Sequence, residues 1–501
     1  MKKKEFIQNK TYSRRYFLAA VILLLLFVTG LVIIFRSQKL KCDPASEAVF
    51  KQKIALQLKK APDKLTADDY TNLKELYLKD LVGSQADIPG WKNILAKLRI
   101  LELPQEYTFD FSPIKKLPNL EILDISFSEI TNIHSLSYLK NLKSLRISWL
   151  MARDIKPLAK LTKLQELYFN GSQVQNLEPL KNLKNLQKLA FNSGKIRDLE
   201  PLKKLINLQE LNIYEAPVNN LEPIKGLNNL KKLTLGSTEI TSLEHINEMM
   251  NLQELTISKS TIFNPGSMDG MINLQKIEIN DTPISGLESL RGLKNLQSLA
   301  LLETEVSDLE PIEELTSLQE FNFINLTKTN GISDLGPLKK LKNLKRIFIT
   351  VNDASDLSPL SDLINLRMLV LYKAQASDLT PLKNLTNLEE LSISNSSVTA
   401  LSNLEPLRNL KNLRTLSLSG TKIIDLEPLR ELGNLQRLVI IDAPVSDLEP
   451  VKEMKNLKNL SLIYCDNITQ EKADDLIKAL PELNISYFPR SESYRPPWNT
   501  Q

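Results

Sequence analysis

The phrase "NLxxLxI" returns along this chain at almost constant intervals. Its first Leu falls at 73, 98, 120, 142, 164, 186, 208, 230, 252, 274, 296, 318, 344, 366, 388, 413, 435 and 457. Fourteen of the seventeen intervals are 22 residues, and the others are 25, 26 and 25. A fixed period of this length leaves few architectures open, because each unit must be one coil of a solenoid stacked on copies of itself.

With the first Leu as offset 0, the apolar offsets are 0, 3, 5, 10, 13, 16 and 19, as in Leu208, Leu211, Ile213, Val218, Leu221, Ile224 and Leu227. Offsets 3 and 5 alternate as a strand does, with the residues between them facing the other way. Offsets 13, 16 and 19 advance in threes, the spacing of a 3₁₀ or short helical turn. Pro begins that turn in twelve units, for instance Pro201, Pro223 and Pro428. There its fixed φ fits, and its missing N–H is no loss because first-turn donors lack partners anyway. The Asp or Asn that precedes it, as in "DLEP" at Asp198, Asp308, Asp425 and Asp447, can accept bonds from the turn.

Seven buried aliphatics per unit contribute roughly 10–20 kcal/mol, whereas ordering 22 backbones costs roughly 20–40 kcal/mol. One unit therefore cannot fold alone, and both ends of the stack need lids. Residues 46–72 form the N-terminal lid, a helix in which Phe50, Ile54 and Leu58 make an apolar stripe. Residues 465–488 read as a capping helix and a final strand. Residues 489–501 are a polar, Pro-rich tail of disordered composition.

Units such as "LQELNIYEAPVNNLEPIKGLNN", from Leu208, resemble the 22-residue class of bacterial leucine-rich repeats, whose best-known members are the internalins. The resemblance covers about 73–464, some eighteen repeats. It implies an α/β solenoid, a right-handed leucine-rich-repeat horseshoe with parallel strands on the concave face, 3₁₀ or short helical turns on the convex face, and a helical N-terminal cap. It also implies export to the cell surface and binding of other macromolecules. The family's usual Asn at offset 8 is here mostly Ser, Thr or Ala, as in Ser172, Ala216, Thr238, Thr282, Thr304 and Thr421. The loop bonds it makes must be remade by hydroxyls or lost. The chain has no immunoglobulin-like domain after the repeats and no "LPxTG" motif, so an invasion role is not implied.

Of the net charge of +5, residues 1–41 supply +8, leaving the remaining 460 residues at −3. The body is mildly acidic, so no basic stripe of the kind that binds phosphates, and no nucleic-acid partner, is expected. The basic residues of 1–15 and 36–45 bracket Tyr16–Phe35, twenty residues without a charge. Such a segment spans roughly 30 Å as a helix. The reading is a signal anchor with its N-terminus in the cytoplasm and the repeats extracytoplasmic. A cleaved signal peptide is the rival, but five apolar residues follow its candidate site at Val28–Gly30.

Only two Cys and two His are present. His134 and His245 lie five units apart on the outer side, and no nucleotide-binding, hydrolase or zinc spacing appears. The sequence therefore reads as no enzyme, with no metal and no cofactor. A binding surface should show itself where concave offsets 2, 4 and 6 depart from the repeat. At offset 2 the sign alternates through Glu166, Lys188, Glu210, Lys232, Glu254 and Lys276, which reads as support for the sheet. At offsets 4 and 6, the eight units from 120 to 274 hold three apolar or aromatic residues in sixteen positions, Tyr168, Ala190 and Tyr214. The next four units hold six in eight: Ala300, Leu302, Ile324, Phe348, Val370 and Tyr372. Arg346 and Met368 flank them at offset 2. Leu302, Ile324, Arg346, Phe348, Met368, Val370 and Tyr372 are therefore the candidate partner-binding residues. The expected partner is a protein. A glycan or envelope polymer is the runner-up, with Tyr168 and Tyr214 as support, and a scaffold without a discrete ligand is a third reading.

Overall fold

The computed structural model describes residues 51–52, 54–77, 112–125, 133–147, 150, 152–171, 173–262, 265–326, 331–351, 356–395 and 401–488. All of them belong to one compact unit. Its strands are β1 (Glu75–Tyr77), β2 (Ile122–Ile125), then β3 to β9 from Ser144–Ile147 to Lys276–Asn280. There follow β10 (Ser298–Leu302), β11 (Glu320–Ile324), β12 (Arg346–Thr350), β13 (Met368–Ala374) and β14 (Glu390–Asn395). The last are β15 (Thr415–Ser419), β16 (Arg437–Ile441), β17 (Asn459–Ile463) and β18 (Asn484–Phe488). They form one parallel sheet in which each strand pairs with the next, as Glu166 with Lys188 and Lys188 with Glu210. The solenoid expected from the period is present. Its strands lie on the concave side and its 3₁₀ turns on the convex side.

The inside of each coil is the repeat's aliphatic set. Leu208, Leu211, Ile213, Val218, Leu221, Ile224 and Leu227 are at most 1% exposed. The turn at Glu200–Leu202 has Pro201 as its second residue, and Asp198 accepts the Glu200 N–H at 2.8 Å. The same bond recurs from Glu310 to Asp308, Glu427 to Asp425 and Glu449 to Asp447. This is the physical role of "DLEP". The Asp side chain closes the corner where the chain leaves the loop and enters the outer turn.

A second ladder explains the Asn of "NL". Each such side chain donates to a carbonyl of the preceding unit: Asn229 to Ile206 at 2.8 Å, Asn251 to Asn228 at 2.8 Å, and Asn273 to Met250 at 2.9 Å. Such bonds are worth about 1 kcal/mol each and tie unit to unit along the edge where strands begin.

At the other end of the strands, the residue at offset 7 turns left-handed. Glu215, Ser237, Lys259, Asp281, Glu303, Lys373, Asp442 and Tyr464 have φ between 46° and 58°. Only Gly420 at this place is a glycine with positive φ. L-residues hold that conformation at a cost of roughly 1–2 kcal/mol each, so the stacking of the coils imposes it.

The loop that follows shows both fates foreseen for the missing Asn. The Thr238 and Ser260 hydroxyls bond each other at 3.2 Å, and Thr282 donates to the Asn280 carbonyl at 3.0 Å. The hydroxyls of Thr304 and Thr421 are buried without a partner among the described residues. Buried Cys465 occupies the same offset, with its Sγ 3.7 Å from the carbonyls of Ile440 and Ile463.

At the N-terminal end, residues 54–57 are helical and Ile54 is buried against the first coil. A helix α1 (Ala67–Asn72) follows, with a capping box between Thr66 and Asp69. β1 is bonded directly to β2. The repeat read at Leu98 lies outside the described residues, so the ladder runs from the unit of Leu73 straight to that of Leu120. At the C-terminal end, α2 (Gln470–Ala479) is followed by β18, which pairs with β17. Among the described residues no helix is long and apolar enough to cross a membrane. Tyr16–Phe35 and the tail 489–501 lie outside them.

The Asx corners carry a pH dependence. The Ser358 N–H, then its hydroxyl, hold Asp356 below its ordinary carboxylate pKa. The Thr380 hydroxyl and N–H do the same for Asp378. A carboxylate with a depressed folded-state pKa stabilises the fold above its unfolded pKa, and that stability is lost as pH falls through the folded value. The urea midpoint should hold steady down to about pH 5 and decline below about pH 4. The double variant Asp356→Asn, Asp378→Asn should show a shallower decline. It keeps the turn, because Asn220 already accepts the Glu222 N–H at 2.9 Å, but loses the titration. An equal slope in wild type and variant would refute this assignment.

Candidate functional site

The concave face consists of side chains at offsets 2, 4 and 6, which the sheet sets in three columns running across the strands. The offset-2 column is mostly used internally. Lys188 pairs with Glu166 at 2.9 Å and Lys232 with Glu254 at 2.7 Å, as the structural reading of that alternation expects.

The candidate residues fall in adjacent columns of β10 to β13. Leu302 stands beside Ile324, Arg346 beside Met368, Phe348 beside Val370, and Thr350 beside Tyr372. The apolar stretch is broken twice: Asn322 separates Ala300 from Phe348, and Thr350, 1% exposed, separates Ile324 from Tyr372. The structure thus brings together two groups, Leu302 with Ile324, and Met368, Phe348 and Val370 with Tyr372. Val370 and Ala300 are each only 8% exposed and form floor. Leu302, Ile324, Phe348, Met368 and Tyr372 are half-buried and present part of their surface. Arg346 is exposed, with its guanidinium 3.4 Å from Glu320.

One margin of this surface is irregular. The ladder between β13 and β14 shifts register between Tyr372 and Ala374. Asn325, fully buried, donates to the Thr304 carbonyl at 3.1 Å and accepts the Thr304 N–H at 3.0 Å. Its own N–H donates to the Thr350 hydroxyl at 3.2 Å. Lys373 reaches across two coils, with its ammonium 3.5 Å from the carbonyls of Asn325 and Leu326. These bonds hold the chain where the four-residue insertion begins; residues 327–330 of that insertion lie outside the described part.

Two features escaped the sequence reading. Val439, Ile441 and Ile463 form a second half-buried apolar group on the same face, with Ile441 beside Ile463. It lies beyond a floor of Ser392, Ser394, Ser417 and Ser419 on β14 and β15. The signal was in the same offsets, three units further along. The other feature is a set of exposed apolar side chains, Ile206, Met250, Ile272 and Ile364, which stand on the edge before the strands. They occur among Lys, Asn and Thr at equivalent places and so make no continuous patch.

The two aromatic residues read as glycan support are engaged within the protein. The Arg146 guanidinium lies 4.6 Å from the Tyr168 ring centre. The ring of Tyr214 covers Gly236, where a Cβ would come within 2.8 Å of it. Burial pushes both phenols above their ordinary pKa, so both stay neutral donors. Among the described residues no cluster of His, Cys, Asp or Glu is arranged to hold a metal ion.

Residues 386–431 match the family model described as leucine-rich repeats (2 copies). No curated protein sequence matches the chain significantly. Among solved structures, the chain is similar to a leucine-rich-repeat protein of Leptospira interrogans, with 24% identity, 76% of this chain and 100% of that one covered, and a TM-score of 0.67. The functional domain of InlJ from Listeria monocytogenes is similar at 18% identity, with 74% and 73% covered and a TM-score of 0.52. Toll in the Toll–Spätzle complex of Drosophila is similar at 17% identity, with 75% and 56% covered and a TM-score of 0.59. The repeat, its coil and these likenesses define the class: this is a leucine-rich-repeat protein. Its 22-residue units are similar to those of bacterial leucine-rich-repeat proteins such as InlJ.

Proposed function

We propose that this chain recognises another protein through the concave face of its repeats, and that residues 16–35 anchor it in a membrane with the repeats outside the cytoplasm. The observation that carries the first part is the apolar stretch on β10 to β13, which follows strands whose concave side chains are mostly polar. Phe348, Met368 and Tyr372, with Leu302 and Ile324 beside them, present apolar surface where earlier strands present Thr, Ser and Asn. Partly exposed aromatic and Met side chains on a rigid sheet are the usual anchors of protein interfaces. Toll, which shares the fold, is seen bound to Spätzle, which supports the mode and not the partner.

The test is photo-crosslinking of the native protein on its own cells. The double variant Phe348→Glu, Tyr372→Glu should lose at least about nine-tenths of the crosslinked partner, since burying either carboxylate at an interface costs several kcal/mol. Its circular dichroism and urea midpoint should stay near wild type, because both side chains point away from the coil interior. Undiminished crosslinking by a folded variant would refute the site. The anchoring rests on the charge pattern around Tyr16–Phe35. Protease added to intact cells should digest the repeats, and their full protection would refute that orientation.

A further inference from the structure

The two residues after each repeat Leu form a rim along the starts of the strands. Over the units from Leu73 to Leu318 whose strands are described, this rim holds six Lys or Arg and six Glu. Over the last six units, from Leu344 to Leu457, it holds Lys345, Arg346, Arg367, Arg414, Arg437 and Lys458 against only Glu389 and Glu390. A body whose overall charge is mildly negative thus concentrates an excess of four positive charges on one stretch about 24 Å long, of which Arg346 meets Glu320 of the preceding unit. All six cations are exposed. Arg367 and Arg414 share a single carboxylate, Glu389, at 3.6 and 4.0 Å. Between them lies a recess of about 230 Å³ lined also by Asn387, Asn412 and Asn434. No described acid pairs with Arg437 or Lys458.

This rim borders the stretch of concave face with two apolar groups. Tyr372 with Phe348 stands at one end, Ile441 with Val439 at the other, and the serine floor lies between. From β13 to β16 is three strand spacings, about 14 Å. We infer that the occupant of this face is an acidic protein segment lying across strands β12 to β17. Its apolar side chains seat on the two groups, and its carboxylates face the Arg and Lys rim. In an extended segment, residues four apart point the same way and lie about 13 Å apart, which matches the separation of the two groups. A nucleic acid would use the cations but leave the two apolar groups unmatched. This inference rests on the concave-face reading and adds the chemistry of the partner.

The test is selection of random dodecapeptides displayed on phage against the full chain in neutral detergent, with a uridylate 13-mer RNA as the second probe. Enriched peptides should be acidic, with two apolar residues about four apart. Their binding should weaken about tenfold or more between low and physiological salt. The triple variant Arg367→Glu, Arg414→Glu, Arg437→Glu, checked for wild-type circular dichroism, should enrich neutral or basic peptides instead. A neutral or basic pool on the wild type, a pool unchanged by the triple variant, or no enrichment would overturn the inference. So would RNA binding that is lost in the triple variant while no acidic peptide is selected. The variant Phe348→Glu, Tyr372→Glu separates the two readings. Acidic enrichment that survives it removes Phe348 and Tyr372 from the site and leaves the charge inference standing. A charge-neutral pool that this variant abolishes keeps the site and removes the charge inference.

Discussion

Replacing Asn325 with Leu should lower the stability of the repeats by roughly 2–5 kcal/mol, the cost of leaving two buried backbone groups without partners. Asn325 fits only because its amide matches both the N–H and the carbonyl of Thr304, and leucine offers neither. The effect should reach the concave face. Ile324 is the preceding residue, and Lys373 spans two coils to the carbonyls of Asn325 and Leu326. Partner capture should therefore fall together with the urea midpoint. Asn325→Asp, which keeps the acceptor and loses the donor, should land between leucine and wild type. If Asn325→Leu left the midpoint unchanged, the buried amide would not be holding this loop.

Truncating Phe321 to Ala should cost roughly 3–5 kcal/mol, the range for removing a fully buried ring. Phe321 and Phe323 are both 0% exposed and fill the coil of β11, close to the middle of the stack. In a solenoid each coil is held only by its neighbours, so a weakened central coil uncouples the two halves. Urea unfolding followed by circular dichroism should change from one transition to two. A single transition shifted by less than about 1 kcal/mol would show that the coil collapses around the cavity.

Much of this fold was legible before any coordinates. The 22-residue period, the strand at offsets 3 and 5, the Pro-led outer turn and the bonding role of Asp198 and its equivalents follow from local pattern. Every coil repeats the same local problem. The Asn of "NL" was visible as a motif but not as a ladder, because its acceptor belongs to the previous coil. The left-handed residues at offset 7 carried no signal, since Glu215, Lys259 and Tyr464 are not residues that choose such φ values alone.

For the candidate site, the chosen offsets do face the concave side, and the sequence named both the group of Leu302 with Ile324 and the group that includes Phe348 and Tyr372. It placed Val370 among the contact residues, whereas neighbouring side chains leave that one only 8% exposed. Burial on a sheet face depends on the residues one strand to either side, a full repeat away in sequence. The group at Val439, Ile441 and Ile463 obeyed the same rule and was passed over.

By itself, then, the sequence determined the coil, because alternation, proline and Asx bonding act within a few residues. What stands beside what was decided only by the tertiary structure. It joined β1 directly to β2, closed Asn325 onto Thr304, turned non-glycine residues left-handed, and lined up six cations beside two apolar groups. Those arrangements come from stacking one coil on the next, and stacking acts between residues a whole period or more apart.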